Sequence, residues 1–497
     1  MTSCEGTRRH RIGRVRACHG RIRYGTYRER LRLILEILLD ETSSEEEDLS
    51  KRSRMDAKGH HVRQGGWHSK PKQFPELKGQ AAWRHNWVDS KLNKMLLRTD
   101  TYDENGYGGK LFRSRTGVPR KLFDVLLDEA KGYVELQNHE DENRRGPRCI
   151  PMQIKLCATL NWMRQGGSFT SAADLADVAV ETLRRFAVMW AHAVVKHDYP
   201  KHVRVPEGEK LAEDLQVHAK LGFPGMLAGT DGVAVQVSNT PWVLKQKHKG
   251  KDTSISCRSF NVSGTARKRV IHVHGSHPAG DNDKTMAKFD TFLQGVKNLT
   301  IGDKETFMVY TCEEGDGNPE HMSGLWIMTD NGYHRWRCTQ FPSKHPIDNN
   351  DLIWSARAES VRKPSSECIF GIIKVRFLLF AGVFDFGRCG MKAFEKRVAH
   401  FDSLFRVACM LHNRLQDHDN ISDLGTRESD WKDVNFGLDK SRRLARMQQV
   451  AGAGGILPGT RNALLAESQD VAEYEASHDK LHAKLCMHFQ HAKHESK

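Results

Sequence analysis

Apolar residues recur at helical spacing through the region 108–197. An apolar stripe at positions 122–127 follows Pro119, a residue that favours the start of a helix. The stretch 153–163 is amphipathic in the same way, and Gly166 follows it as a stop signal. This part of the chain is therefore predicted to be helical throughout.

Two further helices are predicted at the end of this region. Ser171 and Asp174 resemble a capping box and predict a short helix that ends near Ala176. After a tight turn, a longer helix is predicted for 180–194, which gives helix-turn-helix spacing. An ordinary helical bundle would explain this pattern equally well. The candidate DNA contacts on the longer helix are Thr182, Arg184 and Arg185.

Beyond Pro224 the pattern changes from helical spacing to strands. The predicted strands are 226–237, 259–263, 269–274 and 324–329. The predicted helices that follow or interrupt them are 284–296, 365–380 and 401–415. Strands with helices packed against them predict an α/β fold with a mixed sheet.

The two ends of the chain lack a core pattern. Alternating basic and acidic blocks predict disorder before residue 85. The cluster Lys51-Arg52-Ser53-Arg54 is either a nuclear import signal or, more commonly, a solvated basic patch. The predicted division is a disordered basic and acidic arm at 1–85, a helical helix-turn-helix-like domain at 108–197, an α/β domain at 222–416, and a polar, partly helical tail at 417–497.

Composition narrows the class of protein. The formal charge of +15 favours a polyanionic partner, most commonly nucleic acid, although ribosome-associated and membrane-surface proteins are also basic. The 11 cysteines form no C-x-x-C pair, which predicts a reducing compartment and neither a disulfide framework nor a zinc ribbon. No apolar run is long enough to span a membrane, and the start has no secretory h-region. An intracellular, nuclear protein is expected.

Three carboxylates stand at positions suited to chemistry. Asp231 closes the strand that begins at Met226, Asp330 precedes the turn signal Asn331-Gly332, and Glu367 heads a helix. Each acid alone is more commonly structural. Together, two acids at strand ends and one on a late helix can converge on Mg²⁺, which prefers hard oxygen ligands. That arrangement favours two-metal phosphodiester chemistry.

The residues from Asp231 to about Asn413 resemble the DDE nuclease domain of PIF/Harbinger-type transposases and their domesticated nuclease relatives. The resemblance rests on Gly229-Thr-Asp231-Gly232, on the loop Pro278-Ala-Gly-Asp-Asn-Asp283, on Thr329-Asp330-Asn-Gly-Tyr333 with Phe341-Pro342, and on Glu367-x-x-Phe370-Gly371-x-x-Lys374-x-Arg376-Phe377 with Leu411-His412-Asn413.

Three features depart from the family pattern. The family has Arg-x-x-x-Glu on the catalytic helix, whereas Arg362 lies five residues before Glu367, with Lys363 in the matching place and Pro364 between them. Residues 301–323 resemble an acidic insertion, and His334 replaces the proline that usually follows Tyr333. These departures indicate a divergent branch.

The resemblance implies a ribonuclease H-like fold that cuts DNA with Mg²⁺ or Mn²⁺ and joins the freed end to a target. It implies Asp231, Asp330 and Glu367 as the metal-binding catalytic triad. Asp283, Lys363 and Lys374 are auxiliary candidates. The expected partners are DNA and a Myb-like DNA-binding protein, with a homo-oligomer as a further expectation and no membrane.

A second hypothesis remains open, namely a domesticated, catalytically silent DNA-binding or chromatin protein that retains the transposase fold. It would bind phosphates through Arg184, Arg185 and the basic arm. An RNA-directed nuclease is less favoured because no basic-aromatic RNA-binding module is present. A serine hydrolase is disfavoured because the chain has no G-x-S-x-G elbow.

Overall fold

The computed structural model describes residues 86–139, 150–250, 255–310, 319–420 and 469–495, all within one compact unit, Trp83–Lys497. The predicted arm at 1–85, with its candidate import signal, lies outside the described residues. So does the acidic run 313–317 of the predicted insertion. Among the described residues no helix is long and apolar enough to cross a membrane.

Along the described chain, α-helices come before, between and after the strands. They are α1 (Lys91–Leu96), α2 (Tyr107–Thr116), α3 (Arg120–Gly132), α4 (Met152–Gln165), α5 (Phe169–Ala176), α6 (Val180–His197), α7 (Tyr199–His202), α8 (Glu209–Lys220), α9 (Lys245–His248), α10 (Asp283–Phe289), α11 (Thr291–Lys297), α12 (Asn349–Ser365), α13 (Glu367–Arg376), α14 (Met391–His418) and α15 (Gln469–Glu495). Short 3₁₀ helices cover Trp87–Asp89, Thr99–Tyr102, Val134–His139, Trp242–Leu244 and Leu378–Phe380.

The strands form one seven-stranded sheet and a separate hairpin. They are β1 (Met226–Ser238), β2 (Cys257–Gly264), β3 (Val270–Val273), β4 (His277–Pro278), β5 (Thr306–Tyr310), β6 (Pro319–Ser323), β7 (Trp326–Met328), β8 (Thr339–Gln340) and β9 (Val383–Asp385). The main path of the sheet is β3-β2-β1-β7-β8. The strands β1 to β3 are antiparallel, whereas β7 and β8 run parallel to β1. This is the mixed sheet predicted from the sequence, in the order of a ribonuclease H-like fold.

Two predicted helices are each interrupted. The stretch 284–296 is two helices, α10 and α11, because Asp290 caps the second one by accepting hydrogen bonds from the backbone N–H groups of Phe292 and Leu293. The stretch 365–380 begins in α12, breaks at Ser366 and continues as α13. The sequence-based prediction of one continuous helix was wrong in both places.

The helix-turn-helix pair is present where it was expected, as α5 and α6. Asp177 joins the helices in the left-handed conformation, at φ 49°. The predicted cap was wrong, because Ser168 and not Ser171 accepts the hydrogen bond that starts α5, from the N–H of Ser171. The role of this pair as a DNA-reading domain, and the predicted domain limits, stay predictions.

Alternating residues of β1 bury one face of the sheet against the late helices. Val233, Val235 and Val237 share a hydrophobic cluster with residues of α13, α14 and the N-terminal helices. Within it the rings of Phe260 on β2 and Phe405 on α14 are stacked, with centroids 4.0 Å apart. The opposite face packs on α10 and α11. The N-terminal helices and the sheet therefore share one core.

The predicted insertion contributes the hairpin β5–β6, whose two strands flank residues 311–318, which lie outside the described residues. Phe307 of β5 packs directly over Gly225, where a Cβ would overlap its ring. Val309 joins a cluster with Trp326 and with Leu481 of α15. The hairpin therefore helps to hold the C-terminal helix against the core.

Candidate active site

Two glycines allow the α12–α13 junction to lie directly on the sheet. Gly229 of β1 pairs with Gly264 of β2. A Cβ at Gly229 would overlap the Ser365 side chain, and a Cβ at Gly264 would come within 2.6 Å of the Ser365 carbonyl oxygen and overlap Ile369. Only glycine permits an approach this close. The head of α13, with Glu367, is thereby held over the middle of β1.

The sheet register aligns the two aspartates. Gly229 of β1 pairs with Met328 of the parallel strand β7. Asp231 and Asp330 each follow that pair by two residues, so they lie level on neighbouring segments and on the same side. The prediction that Asp231 closes the strand was wrong: Asp231 lies within β1, which continues to Ser238. Asp330 lies beyond β7, and its Oδ1 accepts a hydrogen bond of 2.8 Å from the Gly332 N–H.

A single guanidinium links the first and third acids. Arg362, near the end of α12, donates from Nη1 to Asp231 Oδ2 at 2.9 Å and from Nη2 to Glu367 Oε1 at 2.8 Å. Glu359, one turn earlier, accepts from the same guanidinium at 3.0 and 3.1 Å. The Arg362 side chain is 8% exposed, whereas that of Glu367 is 48% exposed. Arg362 is thus the buried counter-ion of three carboxylates.

The electrostatics of Asp231 reflect this crowding. Burial raises the pKa of Asp231 to about 7; Arg362 opposes the rise, while the charges of Asp330 and Glu367 add to it. Burial alone would lower the pKa of Arg362, but the bonded carboxylates raise it instead. Arg362 therefore stays charged, and Asp231 takes up a proton near neutral pH unless a further cation compensates its charge.

Asp283 approaches the aspartates from the start of α10. Asn282 caps that helix by accepting a hydrogen bond of 2.8 Å from the Thr285 N–H. A Cβ at Gly332 would overlap Asp283 Oδ2 and lie 2.9 Å from Asp330 Oδ1. The glycine of the Asp-Asn-Gly turn therefore leaves room for two carboxylates. Asp283 therefore lies beside Asp330, and its auxiliary role stays a prediction.

Tyr333 forms the buried floor beneath these acids. Its hydroxyl donates to Asn261 Oδ1 at 2.5 Å, and Asn261 Nδ2 donates to Asp290 Oδ2 at 2.6 Å. Burial, followed by the charges of Asp231, Asp283 and Asp330, raises the pKa of Tyr333 well above its usual value. The phenol therefore stays protonated and acts as a fixed donor.

The two auxiliary lysines have different surroundings. Lys363, in the family's arginine position, is half exposed and pairs with Glu359 at 3.4 Å. Lys374 donates to the carbonyl oxygen of Ala234 on β1 at 2.8 Å, and burial lowers its pKa. Within the described part of the chain, neither lysine forms a hydrogen bond or ion pair with a triad acid, whereas Arg362 does. The family pattern puts Lys363 in the arginine position by its spacing from Glu367, but the helix breaks at Ser366 and it is Arg362 that faces the acids.

The candidate DNA contacts on α6 lie outside the acid cluster. Arg184 and Arg185 are exposed and pair with Glu181 at 2.9 and 3.1 Å. The Arg184 guanidinium also lies over the Phe169 ring, 5.6 Å from its centroid. Thr182 is half-buried beside them. These contacts are those of a solvent-facing helix start, and base recognition by these residues stays a prediction.

The donor chemistry of the acid cluster suits a hard divalent cation. Asp231, Asp330 and Glu367 offer only carboxylate oxygens, the ligands that Mg²⁺ and Mn²⁺ prefer. Two other groups among the described residues bring metal-ligating atoms within 4.8 Å of one another: His272, His274 and Asp290, and Asp351, His482 and Cys486. The carboxylate oxygens of the three triad acids do not all lie within that distance of one another, and the guanidinium of Arg362 lies between Asp231 and Glu367.

Fold and site together define a ribonuclease H-like protein with a carboxylate cluster beside the central strand. Residues 200–413 match the family model described as plant transposon protein, a family related to Harbinger-type DDE transposases. The match covers less than half of the 497 residues, yet it includes all three acids and ends at Asn413. Neither the curated proteins nor the solved structures give a match.

Proposed function

We propose that the chain is a divalent-metal-dependent DNA endonuclease that also transfers DNA strands. The observation that carries this proposal is the register that sets Asp231 level with Asp330, while the α12–α13 junction holds Glu367 over the same strand. The match to plant transposon proteins supports the same class of chemistry.

Asp231, Asp330 and Glu367 would hold Mg²⁺ or Mn²⁺. The bound cations supply charge stabilisation for the attacking and leaving oxygens of an in-line displacement at phosphorus. The protein's own residues position these ligands. Arg362 holds the carboxylates of Asp231 and Glu367 near each other, and the Gly332 N–H fixes the rotamer of Asp330. Asp283 adds negative charge at the Asp330 side of the cluster.

DNA is the proposed substrate. The formal charge of +15 favours a polyanion, and the exposed Arg184 and Arg185 provide phosphate-binding groups on the helix-turn-helix. A Myb-like partner, a homo-oligomeric assembly and nuclear localisation belong to the same proposal, by the resemblance to Harbinger-type transposases.

The test is plasmid nicking by purified protein with Mg²⁺, Mn²⁺ or EDTA. We expect metal-dependent nicking that Asp330→Ala abolishes. The matched control is Asp128→Ala, because the Asp128 side chain is 77% exposed on α3 and far from the triad in sequence. Equal nicking by the wild type and the Asp330 variant would refute the assignment of Asp330.

One observation favours the alternative, a catalytically silent DNA-binding protein that keeps the fold. The guanidinium of Arg362 already pairs with both Asp231 and Glu367, so an ion pair links these two acids without a metal. Under this alternative, DNA binding would need no divalent cation and would fall steeply with salt. Nicking by the wild type that requires Mg²⁺ or Mn²⁺ separates the two functions.

A further inference from the structure

An exposed aromatic and basic surface lies between β1 and β2. Trp242 and Val243 are 82% and 73% exposed, which is unusual for side chains of this size and polarity. Lys245, Lys247 and Lys249 follow within the next six residues and are also exposed. We call these five residues the Trp242 surface. Lys245 Nζ lies over the Trp242 ring, 5.7 Å from its centroid, so a cation lies over one face of the ring.

The start of α14 extends this surface. The His248 ring, between the lysines, packs edge-on against the Phe394 ring with centroids 5.8 Å apart. That contact brings α9 beside the first turns of α14, where Lys392 and Lys396 are exposed and Glu395 lies between them. Cations outnumber acids here, so the combined surface is suited to a polyanion and not to an apolar partner chain alone.

The Trp242 surface is tied to the acid cluster through two routes. The Gly280 N–H donates to the Lys247 carbonyl oxygen at 2.9 Å, and a Cβ at Gly280 would come within 2.5 Å of that oxygen. The loop that contains Gly280 leads directly to Asp283. Along β1, Asp231 lies seven residues before the strand's last residue, Ser238, which at about 3.3 Å per residue corresponds to roughly 23 Å. The strand end that leads into the Trp242 surface therefore lies within one helical turn of DNA, about 34 Å, of Asp231.

We propose that the Trp242 surface binds DNA beside the cleaved bond, with Trp242 stacking on an unpaired base and the lysines contacting phosphates. This inference rests on the proposed function and adds a specific subsite to it. Away from its ends a duplex covers both faces of every base, so an indole that protrudes beside an internal bond can stack only on an unpaired base, as in a flap or a splayed end. Aromatic stacking of this kind tolerates any sequence, because every base offers a π face.

The experiment measures DNA binding by the full chain in EDTA, by fluorescence anisotropy. The probes are a blunt duplex and the same duplex with a splayed, single-stranded end. We expect Trp242→Ala to weaken binding of the splayed probe about tenfold and of the blunt probe much less. Trp242→Phe, which keeps a stacking ring, should retain most of the affinity. The matched control is Tyr107→Ala, since Tyr107 is an aromatic residue of α2 that is 75% exposed.

Equal weakening of both probes by Trp242→Ala would overturn the stacking inference, as would no weakening at all. A change in sedimentation with Trp242→Ala but not with Tyr107→Ala would assign the surface to self-association and also overturn it. Nicking is assayed separately with Mn²⁺. A wild type that nicks, with a Trp242→Ala variant that binds both probes normally, contradicts only this inference. A wild type that never nicks, with selective loss of splayed-end binding, contradicts only the nuclease.

Discussion

Two motifs of the late helices look equally specific in the sequence but have different tasks in the structure. The helix headed by Glu367 brings a half-exposed carboxylate to Asp231 through Arg362. The Leu411-His412-Asn413 motif is buried and pins the edge strand β3: Asn413 Oδ1 accepts from the Val270 N–H, and Asn413 Nδ2 donates to the carbonyl oxygens of Val270 and His202. The first motif therefore supplies a side chain to the candidate site, whereas the second stabilises the fold, and the exposure of their polar atoms distinguishes them.

The largest expected effect comes from removing a charge in the chemical motif. Glu367→Gln should lower the nicking rate at least about a thousandfold, because a neutral amide oxygen is a far weaker ligand for a divalent cation. Its thermal melting temperature in EDTA should change little, since Glu367 is half exposed. The control is Glu359→Gln, which changes another partner of Arg362 outside the triad. If both variants nick at the wild-type rate, Glu367 has no chemical role.

Arg362 contacts two acids of the candidate site and also stabilises the fold. Its substitution should therefore change stability in a way that depends on the metal. Arg362→Gln leaves Asp231 without its ion pair in a buried setting, so we expect a loss of roughly 3 kcal/mol in unfolding free energy in EDTA. Mn²⁺ should restore part of this loss, because a bound cation can compensate the same carboxylates. Chemical denaturation with and without Mn²⁺ checks this. Arg185→Gln, which breaks an exposed ion pair, should cost much less, and an equal loss in both variants would contradict the account.

The pH dependence of stability should report Asp231 directly. Its folded pKa is raised to about 7, above its ordinary value of 3.8, so the native state binds more protons than the unfolded chain between these values. Unfolding free energy in EDTA should therefore fall as pH rises from about 4 to about 7 and level off above, by roughly 2 to 4 kcal/mol. The unfolding free energy of Asp231→Asn should not show this part of the decline. If the wild type instead gained stability relative to Asp231→Asn as pH rises, the ion pair with Arg362 would outweigh the effect of burial on the pKa of Asp231.

The smallest expected effect belongs to the architectural motif. Asn413→Ala leaves buried backbone groups of β3 without partners and should lower the unfolding free energy by about 2 kcal/mol. Nicking per folded molecule should stay within a few-fold of the wild type, since no atom of Asn413 contacts an acid of the triad. Asp128→Ala, at an exposed position on α3, is the control. A thousandfold loss of nicking in a fully folded Asn413 variant would erase the distinction between the two motifs.

Much of the fold could be predicted from residue patterns. The pattern of apolar and polar residues located β1, β2, β3 and β7. The turn signal after Asp330 predicted that this aspartate lies at the rim of the sheet. Predictions of helix continuity were less successful. Asp290 caps a new helix within an apolar run, and no periodicity distinguishes a capping aspartate from an exposed helical one.

The role of Arg362 could not be obtained from spacing, because it depends on a change of direction at Ser366. The sequence offered one signal, Pro364, which weakens a continuous helix. The close approach of Ser365 to Gly229 and Gly264 was also hidden, since those glycines are distant in the chain and meet only when β1 pairs with β2. Non-local contacts of this kind determine the geometry of the site, whereas local residue patterns determine the helices and strands.

The most direct test of the central claim is the binding of Mn²⁺ itself, measured by the loss of the free-ion signal in electron paramagnetic resonance, without DNA or any partner protein. We predict saturable binding by the wild type that Asp330→Ala weakens at least tenfold and that Asp128→Ala leaves unchanged. Binding of Mn²⁺ by the Asp330 variant with wild-type affinity would contradict the claim that these acids form one metal site.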